Sequence, residues 1–328
     1  MKRRDFVTRL AVAAAAWPLM AHAQQVRVPR IGYLLLSPMS EPPSRERQAF
    51  LDGLRGFGYV PGKNIEIVYR SAENAEDFID DVCQDLLAQK VELIVVQGAI
   101  TTLAAKKATR TVPVVMQAVG DPVGIGAVNS LSRPEGNLTG VSFISSELAP
   151  KRLQLIKELV PGVKRVAVLW DSRNANAVAE SRATLAAAKR LSMEAEPFPV
   201  ASDSGLERAL EKIHAARPNA LYVTFEGGMV ASNRSVIAEF GLRRRIPIVS
   251  GWSFLTEAGG LVSYAPDIPT MFRRSASYVH RILKGAKPSE LPIEQASTVE
   301  LVLNMKTAKA LGITIPPSVL VRADRVIE

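Results

Sequence analysis

The sequence alternates short apolar runs with longer amphipathic stretches, and this alternation constrains the fold more than any other feature. Several apolar runs are continuous, which is typical of strands that are covered on both faces. The stretches between them carry apolar residues at helical spacing. The predicted strands are Ile31–Leu36, Ile65–Tyr69, Leu93–Val96, Val112–Met116, Val166–Trp170, Ala220–Val223 and Ile246–Val249. This regular order of strand and helix predicts βαβ units and an α/β fold with parallel sheets.

The alternation is interrupted once, and the interruption predicts two sheets. Four predicted strands precede a segment, Asp121–Gly140, that is rich in Gly, Pro and Asn, and the pattern restarts at Lys164. A chain of 328 residues is also long enough for two domains of about 100–200 residues each. We therefore expect two Rossmann-like lobes, each with its own parallel sheet.

The first 23 residues are predicted to be an export signal rather than part of the fold. A basic start precedes an apolar run from Leu10 to Ala21, and small residues end the run at Ala23. This layout is typical of a secretory signal that is cleaved between Ala23 and Gln24. The run is shorter than the ~20 apolar residues that a membrane-spanning helix needs, which disfavours the alternative of an N-terminal anchor. We expect an exported, periplasmic protein.

The signal also accounts for part of the positive charge. Its Arg3-Arg4-Asp5-Phe6-Val7 string resembles the twin-arginine signal of bacteria but departs from it at Lys2 and Val7, so general secretory export is the alternative. Removing its four basic residues and one acidic residue lowers the formal net charge from +9 to +6. The densest remaining basic run, Arg243-Arg244-Arg245, has no second basic stripe beside it in the sequence. We therefore expect no nucleic-acid partner.

The sequence lacks the motifs of catalysis and metal binding. A single cysteine, Cys83, excludes a disulfide within the chain and a cysteine-based zinc site, and the three histidines are scattered. The glycine-rich loops match neither a dinucleotide-binding nor a phosphate-binding motif, and no G-x-S-x-G occurs. We predict no catalytic residue, no metal and no cofactor.

Ligands of open parallel sheets bind beyond the carboxyl ends of the strands, so residues at those ends are the candidate ligand-binding residues. Aromatic side chains stand at four predicted ends, although only 6% of the residues are aromatic. Core packing is the alternative for each of them, whereas together they indicate an apolar pocket. For Asp121 and Asp171 the alternative is a helix cap or a turn. The candidates at strand ends are Ser37, Gly98, Thr101, Asp121, Trp170, Asp171, Phe225, Glu226, Trp252 and Tyr264.

Five segments resemble ABC-transporter substrate-binding proteins of the TrpX-like family. They are Gly58–Ile65, Ala118–Gly124, Arg133–Ser142, Leu283–Pro288 and Asn304–Gly312. The resemblance covers essentially the whole chain after the signal. It implies the type I periplasmic binding protein fold, in which two α/β lobes are joined by three crossover segments and close over a ligand by a hinge motion. It also implies delivery of the solute to an ABC permease in the inner membrane.

The resemblance further suggests a division of the chain and one more candidate residue. We expect one lobe to comprise residues 28–145 and 252–290, and the other 146–251 and 291–328, with crossovers near Ser145, Trp252 and Leu291. Asn176 joins the candidate ligand-binding residues because it matches a family position.

The expected ligand is a small organic solute with an apolar or aromatic part. Some members of the family bind aromatic amino acids, but this chain has Phe225-Glu226 and Trp252 where acidic residues are common in them. We expect Asp121 and Glu226 to be polar anchors and the four aromatic side chains to be apolar walls. Two alternatives to uptake are an exported binding protein that signals to a membrane sensor and an exported α/β enzyme.

Overall fold

The computed structural model describes residues 28–73, 75–225 and 228–328. The predicted export signal at residues 1–23 and the candidate Glu226 lie outside these described residues. Two sheets with helices on both faces form the described part of the chain. The α/β class with two largely parallel sheets is therefore confirmed.

The first sheet is entirely parallel and deeply buried. Its strands are β1 (Arg30–Leu35), β2 (Glu66–Ser71), β3 (Leu93–Val96), β4 (Val114–Gly120), β5 (Leu138–Phe143) and β11 (Glu294–Gln295). They lie in the order β11-β5-β4-β3-β1-β2. Every residue of β3, β4 and β5 is buried, which explains the continuous apolar runs of the sequence.

The second sheet is parallel except at one edge. Its strands are β6 (Arg165–Asp171), β7 (Glu194–Val200), β8 (Ala220–Val223), β9 (Ile248–Ser250), β10 (Val262–Pro266), β12 (Val299–Asn304) and β13 (Arg325–Ile327). They lie in the order β13-β12-β10-β9-β8-β6-β7, and β12 is antiparallel to β10. The C-terminal part of the chain thus completes the second sheet.

Helices cover both faces of both sheets. They are α1 (Arg45–Gly56), α2 (Ile79–Ala88), α3 (Gly98–Ala108), α4 (Ser145–Leu159), α5 (Ala175–Arg190), α6 (Asp203–Ala216), α7 (Gly228–Ser232), α8 (Arg234–Arg244), α9 (Ser253–Glu257), α10 (Ile268–Leu283), α11 (Met305–Leu311) and α12 (Pro317–Leu320). Helices α1 and α10 pack on one face of the first sheet, and α2 and α3 on the other. Helices α4 and α5 pack on one face of the second sheet, and α6 and α8 on the other.

The chain passes between the two sheets at three places, two of which differ from the predicted division. The first passage joins β5 to α4 at Ile144. The second lies at Asp267 instead of near Trp252, because β10 pairs in parallel with β9. The third lies at residues 296–298 instead of near Leu291, because β11 pairs with β5. The backbone N–H of Asp267 donates to the carbonyl of Thr298, which holds the second and third passages side by side.

A short helix explains the misplaced second passage. Only five residues, Ser253–Glu257, form α9 between β9 and β10. A helix of this length gives too few apolar positions to show helical periodicity in the sequence. The Gly259-Gly260 turn that follows returns the chain to the same sheet, because β10 pairs with β9.

A buried polar bridge fastens α10 to the first sheet. Gln117 of β4 is fully buried, accepts a hydrogen bond from the Tyr33 hydroxyl at 2.6 Å and donates one to Ser275 of α10 at 2.9 Å. Burial raises the pKa of the Tyr33 phenol, so the phenol remains a hydrogen-bond donor. The helix that follows the second passage is thereby fixed to the lobe it enters.

A close backbone approach between β4 and β5 requires a glycine at position 140. Gly140 has a φ of +139°, and a Cβ built on it would lie 2.1 Å from the Met116 carbonyl oxygen. The pairing of β4 with β5 shifts register between Met116 and Val119, beside this contact. A side chain at position 140 would therefore push the two central strands apart.

We expect Gly140→Ala to lower the free energy of unfolding by about 3 kcal/mol, because it adds a backbone clash to a strained φ. Urea unfolding followed by circular dichroism measures the change. The control is Gly56→Ala at the exposed end of α1, where a Cβ meets no atom within 4 Å, and we expect it to be neutral or stabilising. Equal effects of the two substitutions would contradict this account of Gly140.

Cys83 is predicted to be unreactive in the folded protein. It is fully buried on α2, and burial, with a smaller contribution from Asp80, raises the pKa of its thiol to about 11. At about pH 8 we expect a thiol-specific chromogenic reagent to leave the native protein unlabelled and to label it fully in concentrated urea. Rapid labelling of the native protein would show that Cys83 is accessible.

Candidate ligand-binding site

The first sheet presents Gly98 and the start of α3 at its carboxyl edge. Gly98 has a φ of +76°, in the left-handed region that favours glycine. Gln97, the residue before it, makes no side-chain hydrogen bond to the first turn of the helix. Thr101 is fully buried and donates its hydroxyl to the Gln97 carbonyl at 2.7 Å. The backbone N–H groups of this turn therefore lack a side-chain cap, whereas the Thr101 hydroxyl is used within the helix.

Ser37 and Asp121 both lie in turns at the same edge. Ser37 follows β1, and its carbonyl accepts a hydrogen bond from the Ser71 hydroxyl at 2.8 Å. Asp121 follows β4 with a φ of +67°, and its Oδ1 accepts a hydrogen bond from the Gly124 backbone at 2.8 Å. One carboxylate oxygen of Asp121 thus stabilises its own turn, as in the turn alternative derived from the sequence.

In the second lobe, Trp170 and Tyr264 belong to the hydrophobic core. Trp170 is buried in the cluster that α4 and α5 form with the sheet, and Tyr264 packs against the same cluster. Asp171, the next residue, is also buried and forms an ion pair with Arg173, whose Nη2 lies 2.7 Å from Oδ2. Core packing is thus the environment of both aromatic side chains, and Asp171 already has a cationic partner.

Asn176 lies where the two lobes meet. It belongs to the first turn of α5, and a Cβ built on Gly120 of the first lobe would lie 3.4 Å from the Asn176 Cγ. The same Cβ would lie 3.3 Å from the Phe143 ring. The carboxyl edge of β4 is thus in contact with the second lobe through Asn176.

Phe225 and Trp252 form part of an aromatic cluster that joins the lobes. Phe225 follows β8 of the second sheet, yet its side chain is buried among residues of the first lobe. Its ring centroid lies 4.2 Å from that of Phe143, edge to face, and 4.0 Å from that of Trp252, stacked with an 8° angle between planes. Phe254 continues the cluster beyond Trp252, at 4.5 Å.

The distance between the two stacked rings shows whether a ligand ring fits between them. Two rings that sandwich a third need about 7 Å between their centroids, twice an ordinary contact distance of about 3.5 Å. At 4.0 Å, Phe225 and Trp252 pack on each other and form one continuous apolar surface. Gly251 allows this packing, because a Cβ on it would lie 2.7 Å from the Cβ of Phe225.

Three buried polar atoms around the aromatic cluster have no hydrogen-bond partner among the described residues. They are the side-chain oxygens of Asn176 and Thr224 and the indole Nε1 of Trp252. Asn176 adjoins Gly120 and through it Phe143, Thr224 precedes Phe225, and Trp252 stacks on Phe225. Buried polar atoms are normally satisfied, so these are the side-chain groups best placed to bind a polar part of a ligand.

A buried ion pair, which the sequence analysis did not identify, lies directly behind the cluster. Arg152 of α4 and Glu180 of α5 are both fully buried, with Nη1 and Oε1 2.6 Å apart. Glu180 also accepts hydrogen bonds from the Tyr222 hydroxyl at 2.7 Å and from the Phe225 backbone N–H at 3.0 Å. The Ser145 hydroxyl is a further donor to Glu180.

The guanidinium of Arg152 extends the same network. Its Nε donates to the Tyr264 carbonyl at 2.7 Å, and its Nη1 contacts the Tyr222 hydroxyl at 3.1 Å. Burial opposes the charged form, but Tyr222 and Glu180 together outweigh it and raise the pKa of the Arg152 guanidinium. The ion pair therefore remains charged in the interior of the second lobe.

The sequence did contain a signal for this pair. Arg152 stands between Ala149 and Ile156 on the buried face of α4, and Glu180 stands between Ala177 and Thr184 on the buried face of α5. A charged residue at a core position of an amphipathic helix indicates a buried partner. Both residues lie within helices, away from the strand ends at which ligand-binding residues are expected.

In residues 28–73, 75–225 and 228–328, no three His, Cys, Asp or Glu side chains are close enough to hold a metal ion. None of the helices in these segments has the length and apolar character of a membrane span.

A family model and a characterised relative match this chain. The model of the ABC transporter substrate binding proteins matches residues 38–327. A protein named tyrosine-binding protein from Clostridioides difficile (strain R20291) is 25% identical over 279 residues, which are 84% of this chain and 79% of that protein.

Two solved structures are similar over almost the whole chain. A conserved domain protein from Vibrio cholerae is 28% identical with a TM-score of 0.85, and the match covers 92% of this chain and 100% of that one. The ABC domain in complex with L-Trp from Streptococcus pneumonia is 29% identical with a TM-score of 0.84, and the match covers 91% and 99% of the two chains.

We expect Phe225→Ala to lower the free energy of unfolding by about 3 kcal/mol, because it deletes a buried ring that packs on Phe143 and Trp252. Thermal and urea unfolding measure the change. The matched control is Phe78→Ala, which deletes a ring that is 60% exposed and should cost less than about 0.5 kcal/mol. Similar losses for the two variants would exclude a role of Phe225 in joining the lobes.

Proposed function

This chain belongs to the family of ABC transporter substrate-binding proteins, and on that premise we propose that it captures a small aromatic solute between its two lobes. Proteins of this family bind small-molecule ligands outside the cytoplasm and work with a membrane permease. The fold is that of the type I periplasmic binding proteins, with two α/β lobes and three passages between them.

The ligand proposal rests on one observation: an aromatic cluster and unpartnered polar atoms lie together at the contact between the lobes. The rings of Phe143, Phe225 and Trp252 offer an apolar surface, and the side chains of Asn176 and Trp252 offer a free acceptor and a free donor. A ligand with one aromatic part and one polar part matches this combination. The tyrosine-binding relative and the L-Trp complex support an amino-acid-like solute.

Capture follows from the position of these groups on both lobes. Gly98 and Phe143 belong to the first lobe, whereas Asn176, Phe225 and Trp252 belong to the second. A ligand that touches both sets lowers the free energy of the closed arrangement alone, so it shifts the population towards closure. The closed arrangement is the form that the permease is proposed to recognise.

The proposal also covers the bounds of the lobes, the export of the protein and the remaining candidate residues. The first lobe comprises residues up to Ile144 and Asp267–Gln295, and the second comprises Ser145–Pro266 and the residues from Val299 onward. Export is followed by cleavage between Ala23 and Gln24 and release into the periplasm. The protein acts as a monomer, without a cofactor or a reaction of its own. Ser37, Gly98, Thr101, Asp121, Trp170, Asp171, Tyr264 and Glu226 remain candidate ligand-binding residues.

Thermal-shift and calorimetric titrations of residues 24–328 test the ligand class. We expect L-tryptophan or L-tyrosine to raise the melting temperature and L-leucine to leave it unchanged. Benzoate has the ring and the carboxylate of an aromatic amino acid but no amino group, so it tests whether binding requires the amino group. If none of the aromatic probes raises the melting temperature, the proposed ligand class is wrong.

The matched pair Trp252→Phe and Trp170→Phe tests the site. Trp252→Phe removes the unpartnered Nε1 donor but keeps a ring on Phe225, so we expect the Kd of the best probe to rise about tenfold. Trp170→Phe makes the same change in the core of the second lobe, and we expect little effect on Kd. An equal effect of both substitutions would argue against binding at Trp252.

A further inference from the structure

The buried ion pair between Arg152 and Glu180 contacts residues close to two of the three passages between the lobes. Ser145, which donates to Glu180, is the first residue of α4 and directly follows the first passage at Ile144. Tyr264, whose carbonyl accepts from Arg152, lies on β10 three residues before the second passage at Asp267. The pair thus links the ends of two segments that any hinge motion must bend.

The same pair holds the residue that reaches into the first lobe. Glu180 accepts the backbone N–H of Phe225 at 3.0 Å, and the Phe225 ring is buried against Phe143 of the first lobe. A displacement of the Glu180 carboxylate would therefore move the Phe225 backbone and the ring that it carries. One side chain consequently connects the hinge to the contact between the lobes.

Stability alone does not account for this network. Bringing both charges into the interior costs desolvation free energy, and apolar side chains of similar volume often replace a buried ion pair without loss of stability. Within the described part of the chain, the Nη2 nitrogen of Arg152 also has no hydrogen-bond partner. Incomplete satisfaction weakens a buried network as a source of stability. A positional role explains why four separate elements converge on it.

We propose that Arg152 and Glu180 are positioning residues that set how readily the ligand-free protein closes. They hold Ser145, Tyr264 and the Phe225 backbone in the arrangement in which the Phe225 ring meets the first lobe. The inference rests on the proposed function, since closure matters only in a protein that captures a ligand between lobes. Apparent affinity falls in proportion to the population of the binding-competent arrangement, so loss of the pair weakens binding without removing a ligand contact.

The test measures the distance between the lobes without ligand. Spin labels on cysteines at Lys63 of the first lobe and Lys212 of the second, both exposed, report that distance by pulsed electron paramagnetic resonance. The native Cys83 is fully buried and stays in place. The test variant is Arg152→Met with Glu180→Leu, which removes both charges together and leaves no unpaired charge inside.

The matched control removes an exposed ion pair from the same helix. Glu158 of α4 pairs with Arg322, and both side chains are more than one third exposed. Arg322→Met with Glu158→Leu repeats the chemical change outside the network. We expect the control to reproduce the wild-type distance distribution. In the Arg152/Glu180 variant we expect the population at the short distance to be about threefold smaller than in the wild type.

A milder variant keeps the inference testable if the double substitution prevents folding. Ser145→Ala removes only the hydroxyl that donates to Glu180, and we expect a smaller shift in the same direction. The inference is wrong if every folded variant of the network gives the wild-type distribution. These distances need no ligand, so they can fail or succeed independently of the thermal-shift titrations that test the ligand class.

Discussion

The carboxyl ends of all strands in a parallel sheet lie at the same edge, and this constraint determines where the chain brings its functional groups together. In the first sheet the carboxyl ends of β3 and β4 carry Gly98 and Asp121, and in the second sheet those of β8 and β9 lead to Phe225 and Trp252. The two edges meet through Gly120 and Asn176 and through Phe143 and Phe225. Side chains from distant parts of the sequence therefore converge between the lobes.

The contact between the lobes depends in turn on a polar network in the interior of one of them. Glu180 accepts a hydrogen bond from the Phe225 backbone N–H, and Arg152 connects Glu180 to Tyr264 of β10. In the first lobe a smaller network, Tyr33–Gln117–Ser275, anchors α10, which follows the second passage. The Arg152–Glu180 network contacts residues close to two passages, and the Gln117 network fixes the helix that follows the second passage.

The sequence predicted most of the fold because its strands are buried on both faces. Continuous apolar runs marked β3 and β8 to the residue, but β7 was missed, since its two prolines and mostly exposed residues lack that signal. Helix α4 begins at Ser145, five residues before Pro150, so this proline lies inside the helix and does not mark its start. The division into lobes could not be read from local patterns, because it depends on which strands pair across long separations.

Prediction of the site was weaker for a geometric reason. Both tryptophans stand near the ends of strands, but Trp170 is part of β6 and shares the face that Val166 and Val168 present to the core. Trp252 lies beyond β9 and stacks on Phe225. The sequence locates the strand end but not the face to which its last side chain belongs. Arg152 and Glu180 occupy helices and not strand ends, so the rule for ligand-binding residues does not find them. Their core positions are nevertheless unusual for charged residues.

The most direct test of capture between the lobes is a crystal structure of the protein purified from its native cells with the solute that it retains. We predict electron density for that solute in contact with residues of both lobes, with the Asn176 amide or the Trp252 indole as a polar partner. A solute that contacts one lobe alone, or that lies away from Asn176, Phe225 and Trp252, would contradict the account.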